Sequence, residues 1–326
     1  MSERVTTGAG WKSPAATGRA TAPASTTATT SSGDAATALG ITPDLLRALE
    51  RLTLPSRRAV LGAGAGQRRS RRHGSSLDLA DYRAYVPGDD IRRLDWGAYA
   101  RLGRLLVRLY EGEEDTCVTL WVDASASMAW DPAGKERPAR GLAGALAYLA
   151  LAAEDRAACV GFAGTVVGRA GPVRGKRSAP RLWAALAALP RGMATDWSVV
   201  AGAARSVPRG VAVVVSDFLT KELPKQALSA LRTAGHEVVL VQVLSPLELA
   251  PELRGELRLV DTETADVVEL TLGDQALASY YDARVEHTRA LRLLATAHGA
   301  RLVTVDGGAP LRQLVLGQLV PARVVH

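Results

Sequence analysis

The sequence predicts an α/β protein: a mostly parallel central sheet with helices on both faces, preceded by a small β-rich module and a disordered N-terminal tail. Three observations carry that expectation. From Thr116 onward, short apolar strand-like runs alternate with helix-length segments, the rhythm of crossovers between parallel strands. One run, "GVAVVVSDF", is continuously apolar, as burial on both faces of a sheet requires. Finally, 326 residues at 47% hydrophobic and 22% charged suffice for a soluble chain with a sizeable core. Aromatics are only 5%, so that core must rest on Val, Leu and Ala.

Composition divides the chain at residues 40 and 115. In Met1–Gly40, twenty-four residues are Ala, Thr or Ser, without an apolar period. Such a segment buries too little surface to offset its ordering entropy and is expected to be disordered. It lacks the apolar stretch of a signal peptide. Nowhere do about eighteen consecutive apolar residues occur, the least a spanning helix needs. The expectation is a soluble, cytoplasmic protein.

Residues 41–115 open on a basic segment. Arg57, Arg58, Arg68, Arg69, Arg71 and Arg72 fall in a stretch without an acid. That charge suits a nucleic acid, but no aromatic residue interleaves to stack on bases. A solvated linker or an acidic protein partner fits better. The glycines of "LGAGAGQRR" lack the Lys-Ser/Thr ending of a phosphate loop. Beyond Ser75, Pro87-Gly88 marks a turn beside Asp89 and Asp90, and "RLLVRLYEG" alternates as a half-buried strand does. Arg83 is placed to pair with Asp89 and Asp90, and Arg92 and Arg93 with Asp95.

Residues 116–320 hold the α/β rhythm. "TCVTLWV" reads as a strand, "ARGLAGALAYLALAAED" as a helix, and "AACVGFAGTVVGRAG" as one or two short strands. "RLWAALAALP" is helical up to Pro190, and "DWSVVAGAARSV" is a helix capped at Asp196 or its neighbour. After "GVAVVVSDF", the helix "LPKQALSALRTAG" ends on Gly235, and "HEVVLVQVL" is another strand. "GELRLVDTE", "DVVELTL", a long helix near Asp274–His298, the strand "RLVTVD" and a helix near "LRQLVLGQ" complete it. Cys117 and Cys159 lie on strand segments without metal spacing, as reduced, buried thiols.

In such sheets ligands gather at the carboxyl ends of the strands. In "WVDASASMAW", Asp123, Ser125 and Ser127 lie just past the first strand of this region. Thr195 stands in "RGMATDW" before a helix, and Asp217 ends "VVVSDF". Each alone suits a helix cap; together, at one rim, they are the hard-oxygen set that a cation such as Mg²⁺, or Mn²⁺ or Ca²⁺, takes.

Asp-x-Ser-x-Ser followed by a distant Thr and Asp resembles the metal-ion-dependent adhesion site of von Willebrand factor A (vWA) domains, a Rossmann-type α/β fold. The resemblance assigns Asp123, Ser125, Ser127, Thr195 and Asp217 as metal positions. "DYRAYVPGDDIRRLDWGAYARLGRLLVRLYEGEED" is similar to the signature of the bacterial family catalogued as domain of unknown function 58, where this module precedes a vWA-like half. Two departures stand out: Ser76-Leu77-Asp78-Leu79 replaces the usual Gly-x-Glu-Phe, and the membrane-spanning segments of longer relatives are absent. The resemblance implies a non-enzymatic, metal-dependent adaptor working with a MoxR-type AAA+ ATPase on a client protein, in chaperone-like maturation or assembly. It points to protein partners rather than small molecules or nucleic acid.

Two other readings compete: a metal-dependent hydrolase at the same site, or nucleic-acid binding through Arg57–Arg72. A serine nucleophile at Ser125 or Ser127 needs a base and an oxyanion hole. No Gly-x-Ser-x-Gly elbow surrounds either serine. His236 opens a strand at the opposite end of the sheet, and His287 and His298 stand about three helical turns apart. A phosphatase nucleophile at Asp123 would want an acid where Ser125 stands.

Overall fold

The computed structural model describes residues 32–54, 79–110, 116–129, 134–251, 255–260 and 267–325. The Arg57–Arg72 cluster and residues 1–31 lie outside the described residues.

Six strands form the central sheet: β3 (Cys117–Asp123), β4 (Arg156–Phe162), β5 (Val166–Arg174), β6 (Gly210–Ser216), β7 (Glu237–Leu244) and β10 (Arg301–Asp306). Their order is β10-β7-β6-β3-β4-β5, parallel except for β5, which returns antiparallel along β4. The chain leaves β3 toward β4 on one side and later places β6 on the other. The crevice between the carboxyl ends of β3 and β6 is therefore the topological switch point, where open α/β sheets bind ligands.

Side-chain alternation along the strands splits the core into two layers. Val118, Leu120 and Val122 of β3 and Val211, Val213 and Val215 of β6 enter one. Trp121, Ala212 and Val214 enter the other. The first layer is covered by α4 (Glu136–Ala152) and α5 (Ala179–Ala187), the second by α6 (Trp197–Ala203), α7 (Lys225–Thr233) and α8 (Asp274–Ala297). Helices on both faces of a mostly parallel sheet are the architecture expected from the sequence. Cys117 and Cys159 are free thiols within it, and burial pushes the Cys159 thiol up to about 12.

One expected boundary needs correction. The segment read as tail through Gly40 is folded from Ser32: α1 (Ser32–Ala38), α2 (Pro43–Leu49) and the link between them bury Ala35, Leu39, Ile41, Leu45 and Leu49 in the first core layer. Few apolar residues suffice there because they join a core layer that residues of α4 and α5 already fill. The small β-rich module expected ahead of the sheet is present as an antiparallel pair, β1 (Leu79–Ala84) with β2 (Leu106–Tyr110), and it also carries a helix that the sequence did not announce, α3 (Trp96–Leu102). Asp95 caps α3, its Oδ1 accepting from the Ala98 amide at 2.9 Å and its Oδ2 from the Tyr82 hydroxyl at 2.8 Å. Gly103 ends it at φ 62°, where a side chain is strained. Arg83 does meet Asp89, at 2.7 Å. A second antiparallel hairpin, β8 (Gly255–Val260) with β9 (Val267–Leu272), precedes α8.

Candidate metal centre

Asp123 is the last residue of β3 and is buried. Its Oδ1 accepts from the Ser125 amide at 2.9 Å, which turns the chain sharply out of the strand. Ser125 and Ser127 hydroxyl oxygens lie 3.0 Å apart where the chain enters the following 3₁₀ turn, Ala126–Ala129. Thr195 arrives on a loop zipped onto that turn: the Gly192 amide donates to Ala124 O at 2.7 Å and the Ala126 amide to Met193 O at 2.8 Å. Gly192 is required there, because a Cβ would stand 2.2 Å from that of Ala163. The Asp196 carboxylate then caps α6 through the Ser198 amide.

These contacts bring Thr195 Oγ1 to 3.0 Å from Asp123 Oδ2. Ser216 Oγ, from the end of β6, donates to the same oxygen at 2.7 Å. A hydroxyl that donates its proton to a carboxylate keeps lone pairs with which to accept or to ligate; Ser216 spends one on the Phe218 amide at 3.0 Å. Burial pushes the Asp123 carboxyl up to about 6, and the nearby charge of Asp217 adds to it; the Ser216 hydroxyl and Ser125 amide oppose them. A buried carboxylate raised by a like-charged neighbour is relieved by a cation, so the donor set fits a hard divalent ion.

Asp217 follows β6 and is buried. Its Oδ1 accepts from the Leu219 amide at 3.0 Å, and its carbonyl accepts from buried Gln242 of β7 at 3.0 Å. Phe218, next in the chain, takes φ 55° and stacks on Trp197 at 5.3 Å between ring centroids. His287 of α8 lies with Nε2 2.8 Å from Phe218 O. Asp217 also meets a cation of the chain itself: Lys135 Nζ stands 2.5 Å from its Oδ2 and donates as well to Glu248.

Asp123, Ser125, Ser127 and Thr195 thus form one connected cluster, while Asp217 joins it through the sheet and through charge rather than a direct hydrogen bond. Ser125 is buried, whereas Ser127 and Thr195 are half-buried and form its open side. Sequence reasoning missed Ser216, Lys135, Glu248, Gln242 and His287. Only Ser216 carried a signal, as the hydroxyl ending a buried strand beside Asp217. No group of three or more His, Cys, Asp or Glu side chains able to hold a metal occurs among the described residues; these donors are largely hydroxyls. His236 binds Ala204 O at the amino end of β7, as expected.

Among known proteins, the uncharacterized protein Rv1480 of Mycobacterium tuberculosis is 31% identical over 281 residues, 83% of this chain and 85% of that protein. The conserved hypothetical protein BatB from Bacteroides thetaiotaomicron superposes with a TM-score of 0.40 at 16% identity, covering 64% of this chain and 98% of that one. Proximal thread matrix protein 1 of the mussel byssus, solved with zinc in its MIDAS motif, superposes at 0.39 and 10% identity, covering 62% and 46%. The family model described as "Protein of unknown function DUF58" matches residues 81–291, a span that takes in nearly all of the antiparallel module and all five expected rim residues, and the chain belongs to that family.

Proposed function

We propose that this protein is a non-enzymatic, metal-dependent protein-binding adaptor that works with a MoxR-type AAA+ ATPase on a client protein. The observation that carries this reading is the gathering of the Ser125, Ser127 and Thr195 hydroxyls around the buried Asp123 carboxylate at the switch point. Ser125, Ser127 and Thr195 would hold Mg²⁺ with the carboxylates of Asp123 and Asp217. Bound among so few charged ligands, the ion supplies an electrophilic centre able to take a carboxylate from a partner. The surroundings support a protein as that partner. Met193, two residues before Thr195, and Leu219, two after Asp217, are exposed apolar side chains flanking the site. Exposed apolar groups beside a polar centre favour a macromolecular surface. The ATPase and client follow from the family resemblance carried by the Tyr85–Trp96 signature.

Titration calorimetry with MgCl₂ and a pull-down from lysate, with and without EDTA, test the reading together. Wild type is expected to bind Mg²⁺ and to retain partners only when it is present. Asp123→Ala and Thr195→Ala should each lower Mg²⁺ affinity at least about tenfold, the scale of a lost charge-assisted ligand, and release the same partners. Absence of divalent binding, or Mg²⁺-independent capture, overturns it.

A further inference from the structure

Lys135 stands at the N-cap of α4, where its side chain makes no capping hydrogen bond. It turns inward instead, and its side chain is 1% exposed. Burying an ammonium costs several kcal/mol unless it is paired in good geometry. Here both partners are anions and both are held from elsewhere. Asp217 Oδ2 is one, at 2.5 Å and itself 1% exposed. Glu248 Oε1 is the other; its second oxygen accepts from the Ser245 amide at 2.8 Å in a capping box, and its carbonyl accepts from Tyr280 of α8 at 2.7 Å. The start of α4, the end of β6 and the turn after β7 thus converge on one ammonium.

The charges around the candidate centre are therefore three buried carboxylates, Asp123, Asp217 and Glu248, against one buried ammonium. A divalent ion arriving at Asp123 and Asp217 meets a positive charge already fixed on one Asp217 oxygen. We infer that Lys135 is a tethered counter-cation: it neutralises Asp217 when no divalent ion is bound, keeps the rim assembled, and holds the site's divalent affinity down. Glu248 acts in the opposite sense, drawing part of the ammonium's charge away from Asp217. Both are positioning residues; neither is a ligand. This inference rests on reading Asp123, Ser125, Ser127, Thr195 and Asp217 as a divalent-cation site.

Calorimetric titration of the full chain with MgCl₂, and with MnCl₂ as a tighter probe, tests it. Lys135→Met removes the competing charge and should raise affinity at least about tenfold, the scale of one unit charge at short range. Glu248→Gln leaves the ammonium wholly on Asp217 and should lower affinity by a similar factor. Equal affinity in wild type and Lys135→Met overturns the inference, as does a Glu248→Gln protein that binds no more weakly. Should Lys135→Met fail to fold, the Glu248→Gln titration decides. The adaptor reading fails separately: Mg²⁺ binding by Lys135→Met but not by wild type would sink that reading and uphold the counter-cation. Binding by neither overturns both.

Discussion

At the scale of single residues, Asp123 concentrates the physical tension of the site. Its carboxyl is pushed from an ordinary 3.8 up to about 6, first by burial and then by Asp217. In EDTA the folded chain therefore takes up a proton between about pH 6 and 4 that the unfolded chain does not. The sign is stabilising toward acid: the buried charge is a penalty above the folded pKa, and protonation relieves it as pH falls. The difference between 3.8 and about 6 corresponds to roughly 3 kcal/mol. His236 works the other way, because burial lowers its pKa and its contribution is lost as pH falls. That opposing effect is common to loaded and stripped protein, so comparing them isolates Asp123. The Mg²⁺-induced rise in Tm is expected to be full at pH 7.5 and to shrink through pH 6 toward 5, where the ion must displace a proton. A thermal-shift series in MgCl₂ against EDTA at each pH reads this directly. An undiminished rise at pH 5 would remove Asp123 from the site.

At the scale of elements, what the sequence disclosed depended on how local the cause was. β3 and β6 were legible because a continuous apolar run ending in a polar residue has few other solutions, and so Asp123 and Asp217 were legible with them. Thr195 was legible because Asp196 announces the helix behind it. Lys135 was not, since "GKERPAR" reads as the solvated start of a helix; its burial is fixed by Asp217 and Glu248, 82 and 113 positions away. Glu248 was hidden for a similar reason, because Ser-Pro-x-Glu reads as a capping box and it is one. Helix α3 escaped because seven residues are too few to show a period; cap and stop, Asp95 and Gly103, define it instead. That helix leads to a prediction. Of eleven exposed large apolar side chains among the described residues, seven lie between Tyr82 and Leu105. Trp96 is 62% exposed, Tyr99 is 46% exposed, and their rings meet edge to face at 6.4 Å. Aromatic anchors among exposed arginines such as Arg92, Arg101 and Arg104 are the composition of binding hot spots. Replacing Trp96 and Tyr99 by Ala together should lower partner retention at least about tenfold, the scale of one hot-spot residue. Mg²⁺ affinity and the urea midpoint should stay unchanged. Retention equal to wild type in the pull-down would mark the face as inert.

At the scale of the whole molecule, the chain closes its own core from both directions. Before the antiparallel module is reached, α1 and α2 are already packed on α4 and α5. After the last strand, Leu314, Val315, Leu319, Val324 and Val325 return to the same layer. The link between α1 and α2 can lie so close because glycines flatten α4 where it crosses. A Cβ at Gly141 would stand 2.5 Å from the carbonyl oxygen of Leu39, and one at Gly144 would stand 2.9 Å from Ile41 Cδ1. Both distances are shorter than packed atoms allow, so glycine here serves contact between segments rather than backbone freedom. Helix propensity and packing pull in opposite directions at such a glycine. Alanine is the better helix former by about 1 kcal/mol. At Gly202 in α6, where nothing lies within 4 Å, Gly202→Ala should therefore leave stability unchanged or raise it by up to about that amount. At Gly141 the same change must move the Leu39 backbone, and the cost of overpacking, about 1–3 kcal/mol, should exceed the propensity gain. Urea unfolding of the two variants beside wild type measures both effects. A lower midpoint for Gly141→Ala with the midpoint of Gly202→Ala held or raised shows that the segment from Ser32 to Leu49 is built into the sheet domain. Equal stabilisation by both changes would show that it rests on α4 without being needed there.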